Sequence, residues 1–354
     1  MSDDPIVQGP SLTPRANPDL VGHESAEARL RHLYDSSRLP HALLLAGPRG
    51  IGKATLAFRL ARFVLSEAGE GGVLEMFGGA GHLSDAPGLA VRADSGVFRR
   101  VAAGGHADLL TVERAYDPRR KRLRHEIVVD DVREIGAFLH LTAAEGGWRV
   151  VIVDGADEMN RNAANSLLKI LEEPPRRALL ILVAHSVGRL LPTIRSRCRH
   201  VPLAPLRPAI VRDLLARYCP ELGSPEADAV AGLAEGSIGR ALDLVASGGV
   251  ELNKTLTPML TRRGGVDPLT LHGFADRLAR ADAEDAYRTV EELLRQHLAR
   301  RAIAAAQRGA RGEASRWAGV RAEIGDTFAR TDGLDLDRKQ AIMSAFIALG
   351  SAAE

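Results

Sequence analysis

The sequence predicts an α/β core built on a parallel sheet, followed by a small helical domain and a C-terminal all-α domain. Three observations carry that prediction. Up to Pro205, short apolar runs of strand length alternate with amphipathic helical stretches, the pattern of a parallel sheet covered on both faces. A glycine-rich loop ending in lysine joins the first of these strands to a helix. After Pro205 the strand-like runs stop and the chain reads as helix. At 354 residues it is too long for one small module.

Residues 1–17 are polar and proline-rich, without the apolar stretch of a secretory signal, and are expected to form a flexible arm. Glu24–Ser36 places Ala26, Leu30 and Leu33 at helical spacing; Ala42–Ala46 reads as strand, and Ala54–Ser66 as helix through Leu56, Leu60 and Val64. Residues 66–106 read as a glycine-rich surface insertion outside the core, since ten glycines fall between 69 and 105. Strands follow at Leu109–Val112 and Glu126–Val129, then a helix at Asp130–Leu141 and a strand at Val150–Val153. Asn162–Glu172 is an amphipathic helix that stops at Pro174-Pro175, because proline removes a donor and restricts the residue before it. Leu179–Ala184 and Arg199–Leu203 complete the strands. The expected boundaries are an arm at 1–17, a core at 18–205, a helical domain at 206–250, a linker at 251–267 and a C-terminal helical domain at 268–354.

Composition excludes several classes. No apolar run approaches the roughly 18 residues of a membrane span. Two cysteines, Cys198 and Cys219, exclude a disulfide framework and point to a reducing compartment, so cytoplasmic residence is expected. The formal net charge of +2 says nothing about nucleic acid. Only five lysines (53, 121, 169, 254 and 339) stand among 47 basic residues, and the arginine excess, spread along the chain, reads as compositional bias. The basic run from Arg119 to Arg124 suits a phosphate backbone or a charged hairpin loop, the latter slightly better. His82, His106 and His125 lack ligand spacing, so no metal site, zinc included, is expected.

The chemistry concentrates at Gly47-Pro48-Arg49-Gly50-Ile51-Gly52-Lys53-Ala54, between strand and helix. Gly47, Gly50 and Gly52 let backbone N–H groups converge on phosphate oxygens, and Lys53 reaches the distal phosphates. An ordinary glycine turn would not need the lysine in that place. Ala54 stands where a phosphate loop carries the metal-binding hydroxyl, and Thr55 points about 100° away around the helix. Val150–Val153 ends in Asp154, the metal-facing carboxylate, but Gly155 follows where a water-orienting glutamate belongs; Asp157 and Glu158 lie past the strand. Loss of a water-positioning group costs about 10²–10⁴ in rate, so poor or absent ATP hydrolysis is expected. ATP or ADP binding stays open, and no cofactor is required.

Further along, Ile194-Arg195-Ser196-Arg197-Cys198 connects two strands. An arginine there can act on phosphoryl charge in a neighbouring subunit, or be a solvated loop arginine. Cys198 reads as a small buried residue. Arg240, after Gly236-Ser237-Ile238-Gly239, could face a nucleotide from the helical domain.

Three segments together, His41–Pro48, Asn165–Pro175 and Ile194–Cys198, resemble the AAA+ clamp-loader family, over about residues 18–250 well and over the C-terminal helices in outline. Within it, the loss of the hydroxyl and glutamate resembles the non-motor, delta-prime type of subunit. The resemblance implies an AAA+ core, a helical lid and a helical collar. It implies Arg197 as an arginine finger acting in trans, Arg240 as the second sensor arginine and Ser186 near the first sensor position. Its implied partners are gamma/tau and delta subunits, with the sliding clamp and primed DNA met through the complex, and no membrane. No polymerase active site is visible. Many relatives carry a four-cysteine zinc module after the first core helix; residues 66–106 here hold no cysteine. The alternatives are an ATP-hydrolysing gamma/tau-type subunit or a stand-alone P-loop NTPase.

Overall fold

The structure is a computed structural model describing residues 13–76, 88–117, 122–145, 147–261 and 266–353. Most of the expected arm, the centre of the glycine-rich stretch with His82, residues 119–121 of the basic run and 262–265 of the expected linker lie outside the described residues. The chain divides into two compact units, Met1–Val211 with Glu235–Gly239, and Arg212–Ala234 with Arg240–Glu354.

The first unit contains α1 (Glu24–Asp35), β1 (Ala42–Ala46), α2 (Lys53–Met76), α3 (Gly96–Ala102), β2 (Leu109–Val112), β3 (Tyr116–Asp117) and β4 (Arg122–Leu123). It continues through α4 (Val129–His140), β5 (Arg149–Asp154), α5 (Arg161–Glu172), β6 (Ala178–Ala184), α6 (Pro192–Arg197) and β7 (Arg199–Pro202). Five strands form one parallel sheet in the order β2-β5-β6-β1-β7. Because β1 sits between two later strands, the chain leaves its carboxyl end at a switch in strand order, where open α/β sheets place their ligand crevices.

Strand side chains alternate between the two covered faces. Leu43, Leu45, Val150, Ile152, Leu179 and Ile181 pack with Leu56, Leu60, Phe63 and Val64 of α2. Leu44, Val151, Val153, Leu180 and Leu182 pack with Val132 and Ile135 of α4 and Leu167 and Leu171 of α5. Each large aliphatic side chain so buried contributes roughly 1.5–3 kcal/mol, which is why continuous apolar runs announced these strands.

Three expectations need correction in this unit. Residues 13–17 are tied down: Arg62, 2% exposed, donates to the carbonyls of Arg15 (2.9 Å) and Asn17 (2.8 Å) and stacks over Phe98 at 4.4 Å. The stretch 66–106 is not a surface excursion throughout. Its α3 folds back on α2, and Leu89, Val97 and Val101 enter the core, with the Leu89 N–H donating to buried Glu27 (2.7 Å). No strand forms at Glu126–Val129; Ile127 makes a single bridge to Met159. β4 lies within the basic run and pairs antiparallel with β3 through Tyr116–Leu123 and Asp117–Arg122, as a hairpin requires.

The second unit is helical. It takes most of α7 (Pro208–Tyr218), α8 (Ser224–Leu233), most of α9 (Ile238–Ala246), α10 (Gly249–Thr261), α11 (Pro268–Leu278), α12 (Glu284–Gln307), α13 (Arg311–Leu334) and α14 (Arg338–Ala353). Tyr287 of α12 packs on Phe328 of α13 with ring centroids 5.0 Å apart, and Val290, Leu294, Ile324 and Ile342 of α12, α13 and α14 are also buried. The linker expected at 251–267 is instead helix up to Thr261, because Val250, Leu256 and Met259 bury one face despite Pro258 within it. Among the described residues, no helix is long and apolar enough to cross a membrane.

Candidate functional site

Within the first unit, the carboxyl ends of β1, β5 and β6 bring together the glycine loop, Lys53, Asp154 and Ser186. The loop is tightly packed from behind: a Cβ on Gly47 would lie 2.4 Å from the Leu203 carbonyl oxygen. Gly50 and Gly52 take φ values of +73° and +103°, which residues with a side chain rarely adopt. His23, buried ahead of α1, donates from Nε2 to the Ile51 carbonyl (2.6 Å) and fixes the loop's far side. The Gly239 N–H donates to the Gly50 carbonyl at 2.9 Å, so the returning segment Glu235–Gly239 closes over the loop.

Lys53 opens α2 with its side chain inside the loop, 3% exposed, its ammonium donating to the Pro48 carbonyl. Burial pushes its pKa down to about 8, against the opposing pull of Asp154 and Asp157. No acidic residue occupies the first turn of α2, so the helix dipole is left for an anion. Thr55 is buried at the next turn position, and Ala54 offers no oxygen. Burial also raises Asp154, with Glu113 adding repulsion and Lys53 opposing. The loop's donor set therefore suits phosphate, whereas Asp154 lacks the hydroxyl partner a phosphate-bound metal would share.

Gly155 explains the missing glutamate structurally. It sits at φ +80°, ψ 43°, and a Cβ there would stand 2.7 Å from Glu158 Oε2. A glutamate at this position would be strained and crowded. Glu158 does not stand in for it, being paired with Arg114 at 2.8 Å and lying 4.0 Å from Arg49.

Sequence reasoning missed two groups. Asp157 is buried and accepts the backbone N–H groups of His185 (2.8 Å) and Ser186 (2.9 Å), fixing the chain as it leaves β6. His185 has its pKa pushed down to about 4 by burial and then by Lys53, so a neutral imidazole stands beside the lysine at neutral pH. No spacing rule announces either; both follow from where β5 and β6 end in register, Asp154 opposite Val183.

Arg197 ends α6, away from this loop. Its Nη2 lies 2.8 Å from Glu172 Oε1 and its Nη1 donates to the Thr193 carbonyl (3.1 Å). α6 forms because Pro192 takes its first turn and Ile194 plugs into the core. Burial holds the Cys198 thiol up at about 12, which makes it unreactive. Arg240 belongs to the second unit, where it donates to Gln296 Oε1 (2.7 Å) and pairs with Glu292 at 3.3 Å. Among the described residues, no three His, Cys, Asp or Glu side chains gather as metal ligands.

A family profile described as DNA polymerase III, delta subunit, matches residues 87–207, from the folded-back segment through β7. DNA polymerase III subunit gamma/tau of Mycobacterium tuberculosis is 31% identical over 288 residues, 79% of this chain and 46% of that protein. DNA polymerase III subunit delta' of Pseudomonas aeruginosa is 38% identical over 158 residues, 45% of this chain and 41% of that protein. The same subunit of Escherichia coli is 33% identical over 172 residues, 49% of this chain and 45% of that protein. The chain thus spans about half the length of the curated relatives it matches. On the fold and these matches, the chain belongs to the AAA+ clamp-loader family.

Proposed function

We propose that this chain is a delta-prime-type, non-motor subunit of a bacterial DNA polymerase III clamp loader. It assembles with gamma/tau- and delta-type subunits, hydrolyses little or no ATP itself, and supplies Arg197 to a nucleotide held by the adjacent motor subunit. ATP-driven loading of the sliding clamp onto primed DNA is then the activity of the complex. One observation carries the reading: Ala54 and left-handed Gly155 remove the metal-binding hydroxyl and the water-orienting glutamate, while the loop and Lys53 stay in place. On this reading Gly47, Gly50, Gly52, Lys53, Thr55 and Asp154 form a nucleotide site that binds without turnover, Arg240 is its second sensor and Ser186 lies at its first. The C-terminal helices form the collar. Leu269, Ile303, Leu334 and Ile347 are more than half exposed there and suit burial against partner chains.

The 288-residue match to a gamma/tau subunit favours a second reading, an ATP-hydrolysing motor. Phosphate release separates the two. With ATP, Mg²⁺ and primed DNA, this chain alone should be silent, and adding it to its own organism's gamma/tau- and delta-type subunits should raise their rate. Steady turnover by the chain alone would replace our reading with the second.

A further inference from the structure

We infer that Glu172 is a positioning residue for Arg197, holding its guanidinium ready for an anion on a neighbouring subunit. The inference rests on the reading of Arg197 as a trans-acting arginine. Both partners are presented by rigid neighbours. α5 begins at the Asn160 cap, whose side chain accepts the Ala163 N–H at 2.9 Å, and it cannot run past Pro174-Pro175. Leu171 is buried, so its neighbour Glu172 has a fixed starting point at the rim of the core. Ile194 and Cys198 are likewise buried on either side of Arg197.

The charge placement needs an explanation that Arg197 supplies. Glu172 and Glu173 end α5, where the helix dipole disfavours carboxylates. Arg197 Nη2 at 2.8 Å offsets that for Glu172, and the Thr193 carbonyl takes Nη1. Two of the five N–H donors of the planar guanidinium are thus used to orient it, and the side chain stays 37% exposed, open to a further acceptor. An unheld arginine loses considerable rotamer freedom when it engages a ligand, and ordering it beforehand reduces that cost.

The test is a double-mutant cycle in the full complex, reading DNA-stimulated ATP hydrolysis and, separately, assembly. Glu172→Ala should lower the stimulated rate about threefold with assembly unchanged, as suits an exposed ion pair. Glu172→Gln, which keeps an acceptor oxygen, should recover part of that loss. In an Arg197→Ala background, Glu172→Ala should have no further effect. A wild-type or raised rate for Glu172→Ala while Arg197→Ala is impaired would overturn the positioning role and leave the finger reading standing. An undiminished effect in the Arg197→Ala background would also overturn it, because Glu172 would then act through something else. Full activity of Arg197→Ala would remove the finger reading, and this inference with it.

Discussion

The phosphate loop and the α6 arginine lie in one unit of the molecule and have kept different things. Around the loop, the parts suited to phosphate are present: three glycines, a buried lysine and a helix N-terminus free of acids. On the proposed reading the groups for breaking a phosphoanhydride bond are missing, since Ala54 has no oxygen and the backbone at Gly155 takes a conformation a glutamate would strain. At α6 the reverse holds. Arg197 is oriented by two acceptors, Glu172 and the Thr193 carbonyl, and its side chain remains 37% exposed. On the proposed reading, such a chain acts more through what it presents to a neighbour than through turnover at its own loop.

Three variants sharpen that contrast, taken from the largest expected effect on stability to the smallest. Asp157→Ala strips two backbone N–H groups of their acceptor and should cost about 2 kcal/mol in urea unfolding. A loss below about 0.5 kcal/mol would mean that the chain leaving β6 is not held by this carboxylate. Gly155→Glu forces a side chain into φ +80° and should cost about 1–2 kcal/mol. Combined with Ala54→Thr it should still give no turnover by the isolated chain; a gain of hydrolysis would show the site was only two side chains from competence. The smallest effect is the pH dependence of Lys53. Its folded pKa of about 8 lies below the usual 10.5, so the unfolded chain binds the proton more tightly between those values. Stability relative to Lys53→Met should therefore rise from about pH 8 to about pH 10.5, by on the order of 1 kcal/mol. A difference that is flat or falls over that window would place the ammonium in water.

The core strands were legible because both faces are covered: Leu43–Leu45 and Leu179–Val183 are apolar without interruption, and only a buried parallel strand accommodates that in so few residues. The loop, Lys53 and the gap at Gly155 were legible for a related reason, since their chemistry is local in sequence. Glycine counting failed between 66 and 106, where Leu89, Val97 and Val101 reach the core from short segments that show no clear period. A linker is expected at 251–267, yet tertiary burial of Leu256 and Met259 makes it helix up to Thr261 in spite of Pro258. Asp157, His185 and Glu172 act through neighbours distant in sequence, so only the register of β5 against β6 and the docking of α5 beside α6 reveal them.

The most direct measurement is DNA-stimulated phosphate release by the assembled complex carrying wild-type or Arg197→Ala chain, with assembly monitored alongside. Arginine fingers contribute factors of a thousand or more at the site they serve, so the account predicts a loss of roughly a hundredfold or more at the facing site with assembly intact. A rate within about twofold of wild type would contradict it, and Arg197 would then be no more than a solvated end of α6.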